Sequence, residues 1–477
     1  MSDGTSFCPG PVSRRSFIEM GGTACGLGLA GLLEARAKSA PKFSEGQSGK
    51  DTSVIFVWLP GGPPHMEMYD LKPEAPKEYR GVFMPIKTNV PGMEVCELFP
   101  RHAKCADKFN IIRSIHHGFA DHGGGHKRFL TGRKPKEPTG FVNDAPCVGS
   151  MASHALEGRR RTGGLPNYIV LGDGRVNNVD TFSFGASYLG RHTHPFRISA
   201  DPSSKNFKVD NVSLERAMSD RLSDRATLLG GFDKMRRDVD ASGLVSSMDV
   251  FNQRALSMMT SDTVREAFDL SKEKDAVRER FSMHEWGQRA LLARRLVERG
   301  VPWVTVVMEN PFRGPVKPLT AGVYNWDSHA VNCHIFEDAK VRFPLYDQVI
   351  TAMIEDLYAR GLDKRVLLVV TGEFGRTPRI THREGTRTKV SQPGRDHWPR
   401  AMSMLVSGGG MRTGQIIGAT NKRGEEPIER AMTPNDLWAT VYEHLGVDYT
   451  MEFPDFAGRP MPMLPHGEPI PELRPVT

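Results

Sequence analysis

Short β-rich, mainly apolar runs recur along this chain, each separated from the next by stretches with helical spacing, and that alternation restricts the fold more than any other feature. The runs are Val54 to Leu59, Asn110 to Ile115, Tyr168 to Leu171, Pro302 to Val307, Arg365 to Val370 and Met402 to Val406. A strand with no polar alternation is buried on both faces, and strands separated by helices are joined by crossovers. The pattern predicts an α/β fold: a mostly parallel, doubly wound sheet with helices on both faces. Helices are expected near Glu97 to Lys108, Leu214 to Gly230, Ser261 to Leu270, Glu285 to Arg299, Leu345 to Arg360 and Pro434 to Leu445. The last is well bounded, with Thr433 as N-cap, Pro434 in the first turn, Asp436 at the third position and Gly446 past the end. The charged, amphipathic stretch over 210–300 reads as a helical insertion or lateral layer within one α/β domain spanning 52–472.

Residues 1–40 read as a leader. Ser13, Arg14, Arg15, Ser16, Phe17 and Ile18 form a twin-arginine pattern, followed by an apolar run from Met20 to Leu33 and small residues at Ala35 and Ala37. The run is about 14 residues, short of the roughly 20 that span a bilayer. The expectation is export to the periplasm through the twin-arginine translocation machinery, with no stable membrane span. Cargo of that route crosses folded, often carrying a metal or cofactor. Cys8 and Cys25 leave with the leader; Cys96, Cys105, Cys147 and Cys333 match no zinc-knuckle or CxxC spacing and are expected to be packing residues.

Charge bears on partners. The 63 basic residues exceed the 56 acidic ones by 7, spread without a basic tail or helix, so nucleic acid is not indicated. A modest positive field suits an anionic small-molecule or polymer substrate. No GxGxxG follows the first strand and no CxxCH occurs, which leaves redox chemistry little support.

In a doubly wound sheet, ligands bind beyond the carboxyl ends of the strands. Five such places carry unusual side chains: Pro60 to Glu67 with His65 and Glu67; His116 to His126 with Asp121 and His122; Asp327, Ser328 and His329; Thr371 to Arg376 with Glu373; and Arg395, Asp396 and His397. Asp327 and His329 lie one residue apart, so an extended backbone projects both to the same side. They either share a metal ion, for which carboxylate and imidazole donors suit zinc, manganese or iron, or form a loop carboxylate that orients a histidine. Asp396 and His397 have the same two readings, with an ion pair to Arg395 or Arg400 as the plainer one. Gly123 to Gly125 either bring backbone N–H groups to an oxyanion at a helix start or form a flexible turn.

The motifs LPGGPPHMEMYD, DHGGGHKRFLTGR, NWDSHAVN, TGEFGRTP, GRDHWPRAMSMLVSGGG and MTPNDLWATVYEHLGVD, in that order, closely resemble the domain of unknown function 1501 family, common in planctomycete-type bacteria. The resemblance runs from about Val54 to near Glu472. That family in turn resembles, more distantly, the alkaline phosphatase superfamily with its sulfatases and cofactor-independent phosphoglycerate mutases. The resemblance implies an alkaline phosphatase-like fold in which Asp327 and His329 stand as ligands of one metal and His397 as a late histidine ligand. It also implies that Glu373 takes the place of an aspartate ligand. Thr131, Gly132 and Arg133 match the end of the sulfatase signature, which puts His122 at the nucleophile position. Phe374 replaces a histidine, and Pro60 and Gly61 replace the acidic residues after the first strand, so a second metal site requires His65 and Glu67 to rebuild it.

These features lead to the expectation of a metal-dependent hydrolase of phosphate or sulfate esters. Asp327, His329 and His397 would bind one divalent ion, zinc or manganese, with Asp396 and Asp121 as further candidates. His122 would be a ligand, general acid or nucleophile; Glu373 a ligand or base; Arg133 and Arg376 the holders of the anion. The alternative is a non-catalytic binding or assembly protein on the same fold, partnering exported cytochrome-like proteins.

Overall fold

The computed structural model describes residues 51–140, 142–159, 164–172, 184–209, 261–312 and 326–474. The expected leader and the 210–260 part of the expected helical stretch lie outside these residues. Among those described, eight strands form one sheet: β1 (Ser53–Trp58), β2 (Phe109–Ile115), β3 (Tyr168–Leu171), β4 (Phe196–Ile198), β5 (Trp303–Val307), β6 (Val366–Thr371), β9 (Met402–Gly408) and β10 (Gln415–Ile417). Two further short strands, β7 (Gly375–Arg376) and β8 (His397–Trp398), pair antiparallel outside it. The spatial order is β10, β2, β9, β6, β1, β5, β3, β4. All neighbours run parallel except at β9, which is antiparallel to both β2 and β6.

Burial on both faces follows from the apolar runs. Along β1, Val54, Phe56 and Trp58 enter one core with Phe129, Val148 and Trp438, while Ile55, Val57 and Leu59 enter the other with Trp286, Tyr346 and Ile350. The first core is closed by α2 (His122–Thr131), α3 (Val148–Ala155) and α6 (Pro434–His444), the second by α4 (Glu285–Glu298) and α5 (Ile335–Ala359); a short α1 (His65–Met68) follows β1. Of the helical stretch expected over 210–300, the described part includes α4, whose Trp286, Leu291, Leu292 and Leu296 are fully buried against the sheet. No helix among the described residues is long and apolar enough to cross a membrane. Cys96, Cys105, Cys147 and Cys333 are buried free thiols.

One helix boundary and two edge strands differ from expectation for physical reasons. Helix α5 begins at Ile335, ten residues ahead of the expected Leu345, and runs through Pro344. Proline removes one backbone donor, but Pro344 and Lys340 lie on the exposed side, where water reaches the carbonyl left without a partner. Strands β4 and β10 were not expected, because three-residue edge strands with Arg197 or Gln415 inside them show no apolar run. At α6 the expected capping box is present: the Thr433 N–H donates to Asp436 Oδ2 at 2.7 Å, and Gly446 has φ 66° past the helix end.

Trp438 joins α6 to α2 by donating from its indole to the Phe129 carbonyl at 2.6 Å, and its ring meets Phe56 edge-on. Trp438→Ala is expected to cost about 3–5 kcal/mol through cavity formation, whereas Thr433→Ala should cost about 1 kcal/mol through loss of the cap. Denaturant titration of both variants checks this, and a larger loss for Thr433→Ala would contradict the described packing.

Candidate metal centre

One edge of the sheet collects side chains from distant parts of the chain, and the reversed strand is the reason. Because β9 runs opposite to its neighbours, with Met402 beside Ile115 and Leu405 beside Val370, the residues that precede it lie next to those that follow β2 and β6. His397 thereby meets His122 from the segment after β2, ring centroids 4.2 Å apart, and Phe374 from the segment after β6. Asp327 and His329 arrive from the loop ahead of α5, held where the Trp326 N–H donates to the Pro60 carbonyl at 2.8 Å.

Four of these side chains converge. His122, Asp327, His329 and His397 each offer a ligand atom, all within 4.8 Å of one another. Asp327 Oδ1 lies 2.9 Å from His329 Nε2 and 3.0 Å from His397 Nε2, and the two Nε2 atoms are 2.8 Å apart. The opposite nitrogens settle the tautomers. His397 Nδ1 contacts the Ala120 carbonyl at 2.6 Å, which can only accept, so Nδ1 carries the hydrogen. His329 Nδ1 likewise donates to the Asp396 carboxylate at 2.7 Å. Each Nε2 is left with a lone pair directed at the other and at a carboxylate oxygen. Three acceptors this close repel unless a proton or a cation lies among them. Two imidazole nitrogens and one carboxylate, with the His122 ring beside them, form a donor set suited to zinc, manganese or iron, and partners on the far nitrogens are the usual means of aiming imidazole ligands.

A second group shares His122. Its Nδ1 donates to Glu373 Oε1 at 2.9 Å, and His126 Nε2 lies 3.3 Å from the same oxygen. His126 is 1% exposed, with neither ring nitrogen hydrogen-bonded, and Glu373 also accepts from the Gly61 N–H at 2.9 Å. Electrostatics bind the two groups together. Burial would raise Asp327, but Arg376 and the surrounding imidazoles hold its carboxyl well below the usual carboxylate range. Glu373, also buried, is held low by His126 and His122. Burial would lower His122, but Asp327 and Glu373 outweigh it and raise its pKa to about 9. His397 goes the other way, lowered by burial to about 4.

Several expected site residues stand elsewhere or act differently. Arg376 is fully buried and does not face an anion: it donates to the carbonyls of Gly61, Gly62, Trp326 and Arg395 and to Asp327 Oδ1 at 2.6 Å. Arg133 lies beyond the C-terminal end of α2, opposite the end bearing His122, and donates to the Pro462 carbonyl. Asp121 caps α2, accepting from the Gly123 N–H at 2.8 Å and the Gly124 N–H at 3.4 Å, so those donors are not free for an oxyanion. Glu67 is clamped by Arg395, with Oε1 receiving Nη2 at 2.6 Å, and His65 Nε2 contacts the Gly424 carbonyl at 3.0 Å. Neither rebuilds a second metal group; His126 stands in that place. Its spacing of four from His122, which puts both rings on one helical face, was the available signal. Asp396 orients His329. Phe374 packs its ring 4.5 Å from that of His397.

Glycine is required where the first turn passes under the centre. Gly61 has φ 107°, and a Cβ there would lie 2.6 Å from the Asp327 backbone nitrogen. Any side chain would push Asp327 out of the cluster.

In chelator-treated protein, the raised His122 pKa makes stability pH-dependent. Its contribution is fully present below the unfolded value of 6.5 and is lost as pH rises through about 9. A loss on the order of 3 kcal/mol is expected across that window, and Glu373→Gln should flatten it. Melting temperatures measured from pH 6 to pH 10 with chelator present test this; an unchanged slope in Glu373→Gln would contradict it.

No curated protein matches the chain in sequence. Among solved structures it is similar to an alkaline phosphatase from the Antarctic bacterium TAB5, at 11% identity over 84% of this chain and 99% of that one, with a TM-score of 0.34. It is also similar to a sulfatase from Pseudoalteromonas sp., at 12% identity over 92% and 72%, with a TM-score of 0.33. The family model described as protein of unknown function (DUF1501) matches residues 51–474, and with every described residue inside that match, the protein belongs to the DUF1501 family.

Proposed function

We propose that this protein is an exported, metal-dependent hydrolase of phosphate or sulfate esters. The observation that carries the metal assignment is the meeting of the His329 and His397 Nε2 atoms, 2.8 Å apart and both within 3.0 Å of Asp327 Oδ1. The ester class rests on the motif resemblance, and export on the twin-arginine leader.

Asp327, His329 and His397 would hold one divalent ion, zinc or manganese, leaving the side toward His122 for water and substrate. Such an ion, when bound, polarises an ester oxygen and lowers the pKa of water. Asp396 and the Ala120 carbonyl keep the two imidazoles presenting Nε2. His122, protonated between Asp327 and Glu373, supplies a proton from Nε2 to the departing ester oxygen and regains one from the attacking water. Glu373 holds His122 through Nδ1 and keeps it charged. Phe374 walls one side with an apolar ring against His122 and His397, limiting the water around them.

The site should carry about one equivalent of metal after gentle purification. Asp327→Ala combined with His329→Ala is expected to lose both the metal and hydrolysis of a panel of phosphate mono- and diesters and sulfate esters. His126→Ala should keep the metal, because His126 is outside the binding set. Elemental analysis and the ester panel measure these outcomes. Retained hydrolysis in the double variant would sink the assignment, and less than about a tenth of an equivalent in the unmodified protein would favour a binding or assembly role.

A further inference from the structure

Beside the imidazole cluster, a cavity of about 490 Å³ opens between the end of β2, helix α2, the residues ahead of β9 and the approach to α6. It is lined by Arg128, Arg400, His116 and His117 against a single carboxylate, Glu426. Arg128 is 7% exposed and donates from Nη1 to Asn435 Oδ1 at 2.7 Å. Among the described residues, no carboxylate lies within ion-pair distance of Arg128 or Arg400. Burial lowers the Arg128 pKa to about 10, still far above neutral pH, so a buried cation stands here without a contacting counter-charge. Such a cation carries a desolvation cost that an anionic partner offsets.

The two histidines divide the work. His117 is spent within the protein: Nε2 donates to the Glu373 carbonyl at 2.6 Å, and Nδ1 accepts from the Phe119 N–H at 3.2 Å. Burial holds its pKa at about 4, and it forms a neutral wall. His116 Nδ1 is buried with no hydrogen-bond partner.

We propose that this cavity binds the phosphate or sulfate group of a small hydroxylated molecule such as a sugar ester. Two guanidinium groups match the paired oxygens of a tetrahedral oxyanion. The volume exceeds what a bare oxyanion fills and falls in the range of small-molecule sites, roughly 300–1,000 Å³. Glu426, the one carboxylate of the lining, can accept from a hydroxyl of the carrier. The residues that line the cavity include none of those that converge at the metal centre, so binding here does not depend on hydrolysis there.

Calorimetry on the full chain with glucose 6-phosphate, glucose 6-sulfate, inorganic phosphate, inorganic sulfate and glucose tests this. The sugar esters should bind at one site in the Asp327→Ala, His329→Ala protein, where the metal centre no longer takes part, which separates this cavity from that centre. Arg400→Ala, a change at an exposed side chain that leaves the core intact, should weaken binding about tenfold or more. Arg128→Lys, if circular dichroism shows it folded, should do the same by removing the fork while keeping the charge. Glucose should not bind. The proposal is overturned if no ester binds, if Arg400→Ala leaves affinity unchanged, or if binding disappears in the double variant; the last outcome would assign the anion to the metal centre and leave the hydrolase reading standing.

Discussion

The site depends on one buried guanidinium. Arg376 ties together the turn after β1 through Gly61 and Gly62, the loop ahead of α5 through Trp326 and Asp327, and the segment ahead of β9 through Arg395. Three separate parts of the chain are thereby held to one planar group whose N–H directions are rigid. Its charge also keeps Asp327 ionised in a site that water scarcely reaches. An uncharged side chain of similar volume could fill the space but would supply neither the fixed directions nor the field, and Asp327 would be free to turn away from the imidazoles.

Around that hub, each ring is aimed by a partner on its far side: Asp396 for His329, the Ala120 carbonyl for His397 and Glu373 for His122. A second buried arginine, Arg395, repeats the theme one layer out. It binds Glu67 and the carbonyls of Tyr79, Thr377 and Pro378, fixing the segment that leads to Asp396. Acidic and basic groups that look alike in a sequence are thus divided between those that face the centre and those that hold its frame.

That division explains what the sequence could and could not disclose. The β1, β2, β3, β5, β6 and β9 runs were legible because a strand buried on both faces is mainly apolar. The edge strands were not, and neither was the direction of β9, since an apolar run reads the same whichever way it points. Asp327 with His329, and Asp396 with His397, were conspicuous because their partners are near in sequence, and both pairs meet at one centre. His65, Glu67, Asp121, Arg133 and Arg376 carry the same chemical types, but their surroundings are long-range: nothing local to Arg376 says that its donors go to Gly61 and Trp326. His126 escaped notice although its helical spacing from His122 was visible, because two buried nitrogens without hydrogen bonds are apparent only once Trp58 and Glu373 surround them.

The reversed strand also sets an order of assembly. β9 lies between β2 and β6, both made earlier in the chain, so the sheet has a gap at that position until its last quarter arrives. A nascent or truncated polypeptide ending before Met402 lacks the strand that carries His397 to Asp327, and contacts across so long a sequence separation form late. The imidazole cluster is therefore a mark of completed folding: a chain in which His397 meets Asp327 is one whose sheet has already closed.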